Sequence, residues 1–364
     1  MRRRDFLGFS ATAVLGLGAS RDRLPVPRVN GGINVQPVRR LDANAGRTPP
    51  LIVPELVDAQ MRALYELGFE QIRVTISFDR FGPDFLAAIP YVRAARALGM
   101  DVLGVIGQFT GFDLLQAISN PQTRDEVLET YVAIFDDFVP AAPGFAGSPG
   151  VFSAQVLNEP THFTGLPPDV YVRDYLRPAY FHLKEDDPSL TIVAAAPVGS
   201  AEGLLRARLM IQSGLENYCD RVAYHVYSTR FIRDLGILSE HPTWITESGA
   251  AGTEHHLDWM TRTFDEIRAA IPRTERIYWF NLFDFDPGAF RLVDLGRTED
   301  GGFEPVVESH EAVALLRSRV EMAAAGAELV PYRELLPDIT LYFPTDEDER
   351  RIRSTSIGSS TWHS

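Results

Sequence analysis

Val156-Leu157-Asn158-Glu159-Pro160 and Trp244-Ile245-Thr246-Glu247-Ser248-Gly249 decide how this chain reads. Each is a strand-like apolar run that ends in a glutamate and passes at once into turn-forming residues. Apolar side chains along the whole run mark a strand covered on both faces, the condition of strands in a parallel sheet. A carboxylate at the exit of such a strand is costly to desolvate, so its presence requires charge pairing or chemistry.

Working outward, the same strand type recurs and alternates with helical spacing. Strands are predicted at 29–35, 71–78, 101–106, 151–157, 191–196, 221–227, 243–246 and 276–283. Helices are predicted at 54–67, 83–98, 124–139, 169–184, 204–215, 257–271 and 310–322, with a short one at 231–238. Gly68 and Gly99 close the first two helices as C-terminal stops. Eight strand–helix units over about 300 residues fit an α/β fold of the (β/α)8 TIM-barrel type better than an open doubly wound sheet. The glutamates then belong to strands four and seven, 88 residues apart. No internal linker interrupts the pattern, so 28–325 reads as a single catalytic domain.

Bulk properties narrow the function. Apolar residues make up 45% of the 364, enough for a sizeable core, and the net charge is −14. Away from the N-terminus no Lys/Arg cluster exists, which argues against nucleic acid and anionic membranes as partners. Cys219 is the only cysteine, which excludes an intramolecular disulfide and a thiolate metal site. The start, Arg2-Arg3-Arg4-Asp5-Phe6-Leu7 followed by a short apolar segment to Ala19, has the shape of an export signal over 1–20. It is too short for a stable membrane span. Its paired arginines resemble a twin-arginine signal, which implies a periplasmic or secreted protein. Residues 326–364 read as a polar, partly disordered C-terminal extension.

In a barrel, chemistry belongs to residues at the C-terminal ends of strands. Arg73, Gln108, Asn158, Glu159, His225, Tyr227, Glu247 and Trp279 all fall in such positions. Two carboxylates delivered by different strands suit cleavage of a glycosidic bond. Asn158-Glu159-Pro160, Thr246-Glu247-Ser248-Gly249, His225-Val226-Tyr227, Arg73 and Tyr278-Trp279, in that arrangement, resemble clan A glycoside hydrolases, families 5 and 39 above all. Each motif alone is weak, and their order on the expected strands is what carries the resemblance.

The resemblance implies a retaining glycosidase that acts on oligo- or polysaccharides without a cofactor or metal. Glu159 would be its acid/base and Glu247 its nucleophile. Arg73 and Tyr227 would hold Glu247, Asn158 would bind a sugar 2-hydroxyl, and His225 would line the same subsite. Trp279 would be a flat platform for a sugar ring. Gln108 departs from the pattern, which more often places His or Asn there.

Each residue also has a structural reading: a paired rim carboxylate, a satisfied core histidine, an ordinary core aromatic. Glu254-His255-His256 suits the start of a helix better than a metal site. A carbohydrate-binding barrel without turnover and a hydrolase of another class, such as a metal-dependent one, are the competing functions.

Overall fold

The computed structural model describes residues 31–35, 61, 64, 65, 69, 71–77, 91–95, 98–108, 152–163, 165–280, 292–297, 299, 303–307 and 312. Eight strands form one parallel sheet: β1 (Gly31–Val35), β2 (Gln71–Ser77), β3 (Asp101–Gln108), β4 (Phe152–Val156), β5 (Thr191–Val193), β6 (Val222–Val226), β7 (Thr243–Ser248) and β8 (Thr274–Trp279). Their order is β5-β4-β3-β2-β1-β8-β7-β6, so β1 pairs with both the second and the eighth strand. The outermost strands do not remain open edges. Bridges Val193–Arg221 and Val198–His225 connect the β5 side to the β6 side, and Ala194 N–H donates to the Arg221 carbonyl at 3.0 Å.

The strands form where the sequence is apolar on both faces. All five residues of β6 and all six of β7 are buried, polar ones included. Alternate residues separate into two sets, as a two-residue period demands. Leu103, Val193, Ala223, Trp244 and Tyr278 pack together on one face. Ile245 and Ile277, their neighbours in sequence, join the main core with Met260, Phe264 and Ile267 of a helix. Charges near the strand entrances are paired: Arg276 donates to Asp101 at 2.9 Å and lies 4.4 Å from the Trp244 ring centre. Glu275 accepts from both Arg221 and the Trp244 indole.

Helix α1 (Arg177–Asp186) is entered through a π-helical turn at Tyr171–Leu176. Helix α2 (Ala201–Gln212) starts at Ser200, whose hydroxyl accepts from Gly203 N–H at 3.0 Å. Gly203 is obligatory, because a Cβ there would lie 1.6 Å from the Val198 carbonyl oxygen. Helices α3 (Ile232–Gly236) and α4 (Thr253–Ala270) follow.

Several expectations change, among them the strand expected at 191–196, which ends at Val193, and the helix expected at 257–271, which starts at Thr253. The helix expected at 204–215 sits three residues earlier, because the Ser200 cap fixes its start and Gly214, at φ +87°, follows its end. The eighth strand runs over Thr274–Trp279 rather than starting at 276, and the expected part at 281–283 lies outside the described residues. An antiparallel hairpin of β9 (Val293–Arg297) and β10 (Phe303–Val307) was not anticipated, although Asp300-Gly301-Gly302 is a turn signal between two apolar runs. The expected export signal, the 124–139 helix, the tail and all of 310–322 except Ala312 lie outside the described residues. Among the described residues, no helix is long and apolar enough to cross a membrane.

Candidate active site

The strand ends bring Arg73, Asn158, Glu159, His225, Tyr227 and Glu247 together. Irregular backbone aims them. The register of β6 on β7 shifts between Tyr224 and His225, which sets His225 opposite Glu247. Such bulges re-aim a side chain at the end of a strand. Beyond β4 the chain turns through two left-handed residues, Leu157 at φ 64° and Glu159 at φ 42°. Each costs about 1–2 kcal/mol for a residue with a Cβ. Hydrogen bonds hold them there. Leu157 N–H donates to the Ile106 carbonyl at 2.9 Å, the Gln155 amide donates to the Leu157 carbonyl at 3.0 Å, and His162 N–H donates to the Glu159 carbonyl at 2.9 Å.

Glu247 is gripped on both oxygens. Oε1 accepts from Arg73 Nη1 at 2.8 Å, and Oε2 accepts from the Tyr227 hydroxyl at 2.7 Å. Arg73 also donates to Asn158 Oδ1 at 2.6 Å and Gln155 Oε1 at 3.1 Å. The imidazole of His225 stands between the two acids. Its Nδ1 shares a hydrogen bond with Glu159 Oε1 and lies 3.3 Å from Glu247 Oε2. One oxygen of each glutamate and the imidazole nitrogen all fall within 4.8 Å of one another. The glutamates are 5% and 7% exposed, low enough to be shielded from bulk water yet not sealed.

These neighbours decide the charge of Glu247. Burial alone would raise its pKa, but His225, Arg73 and the Tyr227 hydroxyl together reverse that and hold it below the usual carboxylate value. Burial drives the Tyr227 phenol the other way, well above its ordinary value, and the Glu247 charge adds to this. Tyr227 therefore stays a proton donor to an ionised Glu247 across the working pH range.

Glu159, His225 and Glu247 are also close enough to ligate a cation. The donor set does not favour one. Arg73 already supplies a full positive charge at 2.8 Å from Glu247, and both Glu247 oxygens are taken by hydrogen-bond donors.

Two expected residues stand apart. Trp279 does not face the cluster; it is 1% exposed and packs edge-on against His256 of α4 at 5.0 Å, with Phe264 at 6.5 Å. The alternation of β8 sends it to the helix side, in register with Ser248, whose hydroxyl accepts from the α4 indole of Trp259. The sugar-platform role assigned to Trp279 is therefore corrected. Phe280, the next residue, packs at right angles on Tyr227 with ring centres 6.1 Å apart, beside Ala251. Gln108 ends β3, and its side chain lies outside the described residues.

Gln155 was missed, because a polar residue in mid-strand gives no signal of its own. It is fully buried and ties Arg73 to the β4 exit.

No family model matches the chain, and no curated protein does either. Solved structures do resemble it in fold. The endo-β-1,4-mannanase of Thermotoga petrophila aligns with TM-score 0.54 at 13% identity, over 82% of this chain and 77% of its own. A GH39 β-xylosidase of Caulobacter crescentus aligns with TM-score 0.51 at 17% identity, over 81% and 72%. The catalytic domain of the GH30 xylanase C of Talaromyces cellulolyticus gives TM-score 0.55 at 13% identity, over 80% and 75%. At these identities the likeness is one of fold. The neighbours are glycoside hydrolases, and this chain has their α/β architecture.

Proposed function

We propose that the chain is a retaining glycosidase on a closed (β/α)8 barrel, acting on β-linked oligo- or polysaccharides. The observation that carries this reading is the approach of Glu159 and Glu247, with oxygens within 4.8 Å of each other at the exits of two opposed strands. Retaining enzymes hold their carboxyl groups about 5–5.5 Å apart, whereas inverting ones need about 6.5–9.5 Å to admit a water molecule.

In the first step an oxygen of ionised Glu247 attacks the anomeric carbon. The bond to the leaving oxygen breaks, and that oxygen takes a proton from Glu159. In the second step water gives a proton to the Glu159 carboxylate while its oxygen attacks the same carbon and releases Glu247. The grip of Arg73 and Tyr227 suits the nucleophile, since it keeps Glu247 ionised before attack. The contact with His225 gives Glu159 a neighbour able to share its proton. Asn158, held by Arg73 through Oδ1, keeps its amide hydrogens for a sugar hydroxyl. The twin-arginine-like start supports export, with 28–325 as the catalytic domain.

Proton NMR of the first product formed from aryl β-glycosides and β-linked polysaccharides tests the chemistry. Release of the β anomer is expected. The α anomer as first product, or binding of oligosaccharides with no product after long incubation, overturns the reading. So does loss of all activity on chelation. A reporter fused to 1–27 that stays in the cytoplasm overturns the export proposal alone.

A further inference from the structure

We infer that Tyr171 is a positioning residue, spliced into the sheet so that its hydroxyl sets the placement of Glu159. The inference rests on the assignment of Glu159 as the acid/base. Strands β4 and β5 pair in simple register, Ser153 with Thr191, Ala154 with Ile192 and Gln155 with Val193. One residue further, that register would have Ala195 N–H donating directly to the Val156 carbonyl. It does not. The fully buried Tyr171 hydroxyl stands between them, accepting from Ala195 N–H at 2.7 Å and donating to Val156 O at 3.0 Å. The two strands are therefore parted by one hydroxyl group at their C-terminal ends.

This splice sits at the point where the chain leaves β4 for the left-handed turn that carries Glu159. The peptide unit between Val156 and Leu157 is held on both sides, its carbonyl by Tyr171 and its N–H by the Ile106 carbonyl at 2.9 Å. That double hold fixes the plane from which Leu157 departs at φ 64°. Tyr171 opens the π-helical turn before α1, a widened geometry that recurs at functional sites. Burial raises the phenol pKa far above its ordinary value, so the hydroxyl keeps the proton it donates. Glu247 rides on β7 and is held by Arg73 and Tyr227, whereas the Tyr171 hydroxyl bonds Val156 and Ala195.

Deleting the hydroxyl would let β4 and β5 close on each other and shift Glu159 directly, while Glu247, which rides on β7 and is also held by Tyr227, would move less. The expected defect is therefore in proton delivery rather than in nucleophilic attack. It should appear only where the leaving group needs a proton.

The test compares wild type and Tyr171→Phe on phenyl and 2,4-dinitrophenyl β-glycosides of a sugar that the wild type hydrolyses. Both substrates are assayed on one preparation, and active enzyme is counted by covalent labelling with a 2-deoxy-2-fluoroglycoside. The labelled fraction corrects for misfolded protein. The expected result is a fall of about 10- to 100-fold in kcat/KM for the phenyl glycoside, with little change for the dinitrophenyl one. Equal losses on both, no loss on either, or a variant that takes no label overturn the role of Tyr171. A wild type that hydrolyses neither sinks the glycosidase reading instead.

Discussion

Removing Arg73 is the perturbation whose consequences the structure fixes most tightly. Its guanidinium is 3% exposed and lies 2.8 Å from Glu247 Oε1. At an effective dielectric of about 20, a pair at that distance attracts by about 6 kcal/mol. Much of this offsets the cost of dehydrating the two groups, but deleting one partner strands the other. Breaking a buried pair in this way costs about 3–5 kcal/mol. Arg73→Leu should therefore lower the thermal midpoint by on the order of 10 °C. The catalytic effect has a separate sign. Without Arg73, one of the groups that keep the Glu247 pKa low is gone and the burial that raises it remains. The acidic limb of kcat/KM against pH should move to higher pH, with a rate loss of about 100-fold or more at its optimum. Differential scanning calorimetry and a pH–rate series from pH 3 to 9 read both. An unchanged midpoint together with an unmoved acidic limb would refute the reasoning, because a buried pair requires both effects and only an exposed or distant charge predicts neither.

Other outcomes follow from the same geometry. Glu247→Ala should abolish turnover, while Glu159→Ala should lose about 10²–10⁴-fold on phenyl glycosides and recover activity with added azide on activated ones. Steady-state assays on both substrates check this. Gln155→Glu should cost about 1–3 kcal/mol in urea denaturation, because its amide no longer donates to the Leu157 carbonyl and a second carboxylate competes for Arg73. Trp279→Ala should cost about 3–5 kcal/mol by emptying a core site, with KM of the folded enzyme unchanged. Phe280→Ala should instead raise KM at near-normal stability, and the reverse pattern would restore Trp279 as the platform. Glu247 also predicts a pH dependence of stability. Its folded pKa is depressed, so its contribution is complete above the unfolded value of about 4.3 and is lost as pH falls through the lower folded value. The difference in urea midpoint between wild type and Glu247→Gln should shrink in that acid range.

Much of this was legible along the chain. Strands covered on both faces leave a mark, a mainly apolar run, so β4, β6 and β7 and the polar residues at their ends could be read directly, while the polar residues inside β4 could not. Glu159, Glu247, His225 and Tyr227 stood out because a polar side chain at the exit of such a run is expensive. The same rule hid β8. In Ile277-Tyr278-Trp279-Phe280 every residue is apolar or aromatic, so no contrast says which face each one takes. The platform role of Trp279 rested on the family resemblance of Tyr278-Trp279, and the strand itself offered no contrast to place that ring on one face or the other. Helix and hairpin boundaries depended on short local signals, the Ser200 cap and the Asp300-Gly301-Gly302 stretch of sequence.

The amino-acid order by itself determined the α/β class and the placing of two glutamates at strand exits. Local covalent and hydrophobic patterning is enough for that, since each choice is made within a few residues. Only the tertiary structure decided how those acids are oriented and charged. The grip of Arg73, Gln155 and Tyr227 and the hydroxyl of Tyr171 between β4 and β5 join residues far apart in sequence. Their energies depend on distance and burial in three dimensions, which no spacing along the chain encodes.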